Sequence, residues 1–369
     1  MNRHMIERFH RERNHSKNTI KNYNRSIHYY EQLTQHTIEE CIEIAETEEQ
    51  NNIRWKNTQT RKWLLQYREQ LYTKYNVTSA QTYLTVIITF YRHYEITIPT
   101  LPYYSTKHLR HTTPINYSDL PDRELLQECL LISNPLVRSL ILFMSSSGVS
   151  RIDVLNLTIQ DYLEATRDFH NHPESVKYAV KEMQDTDVVP TFHLRRQKTG
   201  QSYFTFCSHE ACKSINDYIL TRTDKLTRTQ PLFKINKRYI NTVFERLNDY
   251  LMLGKQPNGY NRLTPHMLRK FHASQLAESG MSTEHINLLQ GRKLQGVAHE
   301  SYIRLNPETI RQEYIQALPY LVIEDVNKYK SEVEVLKEEN QHYKSNLDNL
   351  WEELNNIKER QNIWEELKK

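Results

Sequence analysis

The stretch Thr264-Pro265-His266-Met267-Leu268-Arg269 sets an imidazole and a guanidinium three residues apart at what reads as the start of a helix. Thr264 suits the capping position, and Pro265 suits the first helical position, where no backbone N–H is needed. Leu268, Phe271 and Leu276 fall on an inward face. Side chains three apart on a helix stand together, so His266 and Arg269 point the same way beside a partly positive helix terminus. That combination suits a phosphate. An isolated H-x-x-R pair is more often two surface residues, and its weight comes from its company. Upstream, a turn at Gly148 delivers Arg151 to the start of a helix anchored by Ile152, Leu155 and Leu157. Lys198 stands at the tip of a hairpin between Val188–Leu194 and Gln201–Phe206, flanked by Arg195 and Arg196. Downstream, the helix Thr283–Gln290 stops at Gly291 with Arg292 directly after it, and Tyr302 follows in His299-Glu300-Ser301-Tyr302.

These residue types point to phosphodiester chemistry. The transition state spreads negative charge over the nonbridging oxygens, and the guanidiniums of Arg151 and Arg269 offer paired donors where a metal would otherwise serve, so neither a metal nor a cofactor is expected. A tyrosine with the ordinary pKa of about 10 is a poor nucleophile at neutral pH, but nearby cations favour its phenolate and His266 can help move the proton. Tyr302 is the expected nucleophile; Tyr314, its nearest competitor, lies in a helix-periodic stretch that suggests packing. The last phosphate ligand is either Arg292 or His299. A lysine at a hairpin tip is usually a solvated edge residue, and the flanking arginines are what raise Lys198 above that reading.

The elements that must position these groups are mainly helical. At 369 residues, with 25% charged and 38% hydrophobic side chains, the chain is long enough for two soluble domains. Its most apolar stretch, Leu136–Met144, is interrupted by Arg138 and reads as a buried helix, and Met1-Asn2-Arg3-His4 lacks a signal core; a cytoplasmic, nucleoid-associated protein without membrane contact is expected. Cys41, Cys129, Cys207 and Cys212 form no paired framework or zinc spacing and read as packing residues. With seven glycines there is no Gly-rich nucleotide loop. The stretch 324–369 holds 12 acidic and 8 basic side chains, which leaves a net charge of +8 on the rest, a balance that favours a polyanionic partner.

The expected fold is mainly α with a small β-hairpin or sheet, in four parts. Residues 1–97 form a helical domain, with a first clear helix opening at Ser16 and others over Ile38–Glu49, Arg61–Tyr75 and Thr78–Tyr94. Residues 98–114, with Pro99, Pro102 and Pro114, read as a linker. Residues 115–323 carry the chemistry, with a polar, insertion-like stretch around Asn171-His172-Pro173. From Val326 a heptad repeat places Val326, Val333, Leu347 and Leu354 at a and Leu336, Leu350, Ile357 and Trp364 at d, with Asn340 at an a position. Glu332, Glu339 and Glu353 precede Lys337, Lys344 and Lys358 by five residues, the relation that pairs charges between parallel strands. Residues 324–369 are therefore expected to form a parallel homodimeric coiled coil, the alternative being a lone helix folded back on the body.

The ordered set of Arg151, Lys198, His266-x-x-Arg269, Gly291-Arg292 and Tyr302 resembles the tyrosine recombinases, the phage-integrase family, and Arg292 after the glycine is similar to archaeal integrases. The resemblance covers residues 115–321 well and the N-terminal helices more loosely, as the family's core-binding domain. It implies a site-specific recombinase that acts on double-stranded DNA as a homotetramer on paired sites, through a 3′-phosphotyrosyl intermediate. It also assigns Lys198, on a mobile hairpin, as the acid that protonates the leaving 5′-oxygen. The family usually has an acidic residue three positions after the first arginine; here Val154 stands there and Asp153 precedes it, so the partner that orients Arg151 is open. Two other functions fit the same residues: relaxation of DNA in the manner of a type IB topoisomerase, and DNA binding by a catalytically decayed regulator.

Overall fold

The computed structural model describes residues 4–109, 111, 113–184, 186–256, 259–292 and 306–324. Tyr302, His299 and the proposed coiled coil beyond Glu324 lie outside the described residues. The chain divides into two compact units, Met1–Pro114 and Ile115–Lys369.

The first unit is helical: α1 (His4–Glu12), α2 (Lys17–Thr34), α3 (Ile38–Gln50), α4 (Gln59–Lys74) and α5 (Val77–His93). The side chains of Ser16, Thr37, Thr58 and Asn76 cap α2 to α5, each accepting from a backbone N–H of the first turn. Helix α1 lies ahead of the helix that the sequence suggests as the first; its nine residues are too few for a repeat to stand out, yet Ile6 and Phe9 are buried. The core is rich in tyrosine, and its hydroxyls are satisfied internally: Tyr30 and Tyr91 share a hydrogen bond of 3.0 Å, and Tyr67 donates to the Ser26 carbonyl at 3.1 Å. The segment expected to be a linker is laid against this unit. Ile98 is buried, and Tyr104 stacks on Tyr72 with ring centroids 5.3 Å apart. The Arg68 guanidinium lies 4.7 Å from the Tyr104 ring and donates to the Pro102 carbonyl at 2.6 Å. Prolines deny this segment a helix, and its aromatic side chains fasten it.

The second unit contains α6 (Arg123–Leu131), α7 (Pro135–Ser147), α8 (Arg151–Val154), α9 (Ile159–Ala165), α10 (Val176–Glu182), α11 (His209–Thr221), α12 (Lys237–Tyr250), α13 (Pro265–Glu278), α14 (Thr283–Leu289) and α15 (Pro307–Leu321). Strands β1 (Thr191–Arg195) and β2 (Ser202–Phe206) pair antiparallel, with Thr191 opposite Phe206 and Arg195 opposite Ser202. Helices α9 and α10 flank the stretch that reads as polar insertion; each has seven residues, below the length at which periodicity is legible. Helix α7 is central, buried from Ser139 to Ser147 and packed on α11 and α13. Its last serines return their hydroxyls to carbonyls one turn back, such as Ser147 to Phe143 at 2.6 Å, so an apolar environment accepts them. All four cysteines are buried and free. Among the described residues no helix is long and apolar enough to cross a membrane.

The buried backbone carbonyls that have no helical partner at the end of α7 are taken by other elements. Thr205 on β2 donates to Ser147 O at 2.8 Å, and Tyr314 on α15, fully buried against Phe206, donates its hydroxyl to Ser146 O at 2.8 Å. Tyr314 is thus a packing residue. Tyr314→Phe should lower unfolding stability by about 1 kcal/mol, the worth of one buried neutral hydrogen bond, without changing DNA cleavage. Chemical denaturation and a cleavage assay check the pair of outcomes.

Candidate active site

Helix α13 begins as its sequence dictates: the Thr264 hydroxyl accepts from Met267 N, and Pro265 occupies the first turn. Burial of Leu268 and Phe271 then fixes the rotation of the helix, and Arg269 is carried inward with them, only 4% exposed. Its guanidinium donates through Nη1 to the Gly148 carbonyl at 2.6 Å and through Nη2 to the Gln290 carbonyl. One side chain therefore joins the turn that precedes Arg151 to the turn that precedes Arg292. Burial, with Arg292 and Arg196 close by, lowers the Arg269 pKa to about 10, still fully charged at neutral pH. Gln290 completes the clasp, its amide Nε2 donating to Arg269 O at 2.9 Å and lying 3.1 Å from His272 Nδ1. His272 is fully buried, and burial, reinforced by Arg269 and Arg292, drives its pKa to about 3, so it is a neutral packing ring.

Both turns need glycine. Gly148 (φ +63°) ends α7 in the left-handed conformation, and a Cβ there would sit 2.5 Å from His272 Nδ1. Gly291 (φ +58°) ends α14: its N–H bonds Leu288 O and the N–H of Arg292 bonds Asn287 O, each at 2.8 Å, and a Cβ would meet the Tyr203 ring at 2.7 Å. The turns are pressed onto their neighbours, so the backbone that launches each arginine is fixed.

Arg151 opens α8, partly exposed, and donates Nη1 to Asn241 Oδ1 at 2.5 Å. The orienting partner of Arg151 is therefore an amide on α12. The same helix uses Asn248, two turns on, to hold the approach to α13, bonding both N and O of Leu263. Asp153 does not face Arg151: it accepts from Ser150 Oγ at 2.6 Å and, across to the hairpin, from Gln197 N at 2.9 Å. A cleft of about 480 Å³ opens between α8, α12 and α13, lined among others by Ser150, Arg151, Asn241, Thr264, His266 and Arg269. His266 lies at its exposed edge, and partial burial together with Lys270, Arg269 and Arg292 lowers its pKa, so its ring is neutral at pH 7.

Lys198 stands exposed at the hairpin tip, one residue from the Gln197 amide that Asp153 holds. Arg196, half-buried, donates Nη1 to Gly291 O at 2.6 Å. The turn that bears Lys198 is thus bonded at its start to Gly291 and to Asp153 on α8. Arg292 is exposed as a residue, and the partial desolvation of its guanidinium together with the Arg196 charge lowers its pKa. The structure brings Arg151, His266 and Arg269 to one cleft and sets Lys198 and Arg292 on turns bonded to it. Tyr302 and His299 fall outside the described residues. Asn241, Gln290, Asp153 and Arg196 carry the geometry; of these the sequence offers a signal only for Arg196, as a neighbour of Lys198, and for Asp153, one residue before the position where the family has its acidic residue.

Two outcomes follow from this geometry. Asn241→Ala should slow cleavage about tenfold or more at saturating DNA with little loss of affinity, because Arg151 keeps its charge and loses its orientation; single-turnover rates against binding isotherms check this. With His266 acting as a neutral ring, the cleavage rate should rise with pH along an acid limb whose midpoint lies below 6.5 and then level off, and that limb should vanish in His266→Gln.

Residues 125–308 match the family model described as the phage integrase family. Among solved structures, the chain is similar to the integrase of transposon Tn1549 in complex with circular intermediate DNA, at 12% identity and a TM-score of 0.50, covering 84% of this chain and 97% of that one. It is also similar to a lambda integrase dimer bound to a core site (14% identity, TM-score 0.49, 82% and 98% covered) and to the XerA recombinase (18%, 0.33, 85% and 96%). No curated protein matches the chain in sequence. With the arginine clasp lying inside the matched residues, the chain carries a catalytic domain of the phage integrase family and is a tyrosine-type site-specific recombinase.

Proposed function

We propose that Tyr302 attacks a DNA phosphate held by Arg151 and Arg269, and that this chain integrates a mobile element by strand exchange between paired duplex sites. The observation that carries the reading is the Arg269 guanidinium bonded to Gly148 O and Gln290 O, which draws the segments of Arg151 and Arg292 to one cleft. The Tyr302 Oη–phosphorus bond forms as the bond from phosphorus to the 5′-oxygen breaks. Lys198 gives a proton to the departing oxygen, and the tyrosine proton leaves by way of His266. Arg151 and Arg269 stabilise the charge on the nonbridging oxygens, with Arg292 or His299 as the last ligand. The 3′-phosphotyrosyl bond conserves the cleavage energy, so a 5′-hydroxyl from another strand reseals the DNA without a nucleotide.

In this reading the first unit is the core-binding domain, four protomers act on two sites in the cytoplasm, and Arg292 puts the chain nearer the archaeal integrases. Residues 324–369 assist assembly as a parallel dimer; sedimentation of the full chain against a chain ending at residue 323 would show loss of self-association in the shorter one if this is right.

The test is covalent trapping. Wild-type protein is incubated with a random-sequence library of nicked suicide duplexes, the adducts are sequenced to recover the cleaved site, and the modified residue is identified by peptide mapping. An adduct on Tyr302 is expected; an adduct elsewhere, or none, overturns the reading. Tyr302→Phe should abolish the adduct and leave DNA affinity nearly unchanged, since it removes one hydroxyl and no positive charge. Arg151→Ala and Arg269→Ala should each slow cleavage by roughly a hundredfold or more. Exchange of strands between two labelled duplexes, as opposed to relaxation of supercoiled plasmid alone, separates recombination from a topoisomerase-like activity.

A further inference from the structure

We propose that Arg196 is a positioning residue for Lys198, clamping the start of the hairpin's turn to the Gly291-Arg292 turn so that the lysine tip is held against the scissile phosphate's leaving side. The inference rests on the reading above in which Lys198 is the leaving-group acid.

Three observations carry it. First, the tip has a rigid frame of its own: Arg196 N donates to Gln201 O at 2.8 Å, Arg196 O accepts from Gly200 N at 2.8 Å and from Thr199 N at 3.3 Å, and Arg195 Nε donates to Gly200 O at 3.0 Å. Lys198 therefore moves with the start of its turn. Second, that start is fastened from two sides by residues on separate segments. Arg196 Nη1 reaches Gly291 O at 2.6 Å, and Gln197 N reaches Asp153 Oδ1 at 2.9 Å. The two fastenings come from the turn that carries Arg292 and the helix that carries Arg151, so the acid is placed by the groups that bind the phosphate. Third, Arg196 stands beside two other guanidiniums with one buried donor unpaired. Its Nε is buried without a partner, it lowers the pKa of both Arg269 and Arg292, and among the described residues no carboxylate forms an ion pair with it. A guanidinium kept beside two others at that cost is explained by the bond it makes to Gly291.

The distinction from a simple phosphate ligand or a packing residue is chemical. An alkoxide leaving group needs a proton, whereas a thiolate, whose conjugate acid has a pKa of about 8.5, leaves without one. The trapped cleavage site is synthesised with either oxygen or sulfur as the bridging 5′ atom, and full-length wild type, Lys198→Ala, Arg196→Met and Arg196→Lys are compared in single turnovers at saturating DNA. Thermal melting of each variant is followed in parallel. On the oxygen substrate we expect Lys198→Ala to be slowed by about a hundredfold or more and both Arg196 variants by about tenfold to a hundredfold. On the sulfur substrate all three should return to within about threefold of wild type. Arg196→Lys keeps the charge and loses the planar fork, so it should follow Arg196→Met. Should Lys198→Ala recover on sulfur while both Arg196 variants stay slow, Arg196 acts on the phosphate or on the fold, and the proposal is overturned. Wild-type rates for both Arg196 variants on oxygen also overturn it. Failure of Lys198→Ala itself to recover would instead remove Lys198 as the acid, a failure of the underlying reading that this design separates from the first.

Discussion

A single buried cation organises the catalytic unit. Arg269 reaches its place because α13 must bury Leu268 and Phe271, and once there its two amino groups each satisfy a carbonyl at the end of a different helix. Those carbonyls belong to residues at or beside glycines in left-handed turns, where helical hydrogen bonding has ended. The guanidinium thus meets a need the helices create, and the helices in turn hold the guanidinium in one orientation. A lysine in its place has no planar fork with which to span both. Charged hydrogen bonds of this kind contribute about 1.5 to 3 kcal/mol each, and losing them would leave two carbonyls without partners inside the fold.

Around that point, among the described residues, positive charge gathers. Arg196, Lys270, Arg292 and His266 all lie near Arg269, and Lys270 as well as His266 and Arg292 is pushed toward its neutral form by burial and the neighbouring cations. Among the described residues Asp153 is a carboxylate close to this cluster, and its two oxygens are engaged by Ser150 and the hairpin backbone. These cations lower one another's pKa, so an anion bound among them would relieve their mutual repulsion.

Much of this was legible in the sequence. Capping and periodicity give α13 its start and its inward face. The glycine turns mark where Arg151 and Arg292 emerge, and alternation marks the hairpin. What escaped has a common physical reason. Asn241 is an amide on an amphipathic helix, 90 residues from Arg151, and nothing in its local sequence separates it from a solvated surface residue. Gln290 acts through its backbone oxygen as well as its side chain, and a carbonyl has no sequence signature. Asp153 was noticed as out of step with the resemblance, and the structure gives it a different task, holding the hairpin. Short helices such as α1, α9 and α10 fall below the span over which a repeat can be read. The proline-bearing stretch after Ile98 reads as a free connector because its order comes from Arg68 and Tyr72, which are distant in sequence.

The two glycine turns carry a consequence for how this chain can change over generations. At position 148 a methyl group collides with the ring of His272, and at position 291 with the ring of Tyr203. Neither ring can move aside freely: His272 is fully enclosed, and Tyr203 is buried in the hairpin that bears Lys198. Each glycine is therefore fixed twice over, by a left-handed φ that strains any side chain and by the ring packed against it, so a smaller ring alone does not admit a side chain. Positions 272 and 203 can change only to side chains that still fill the space against a glycine, whereas positions 148 and 291 have no such freedom. The two loops beside the cleft are thereby bound to stay glycine even where the rings that cover them vary.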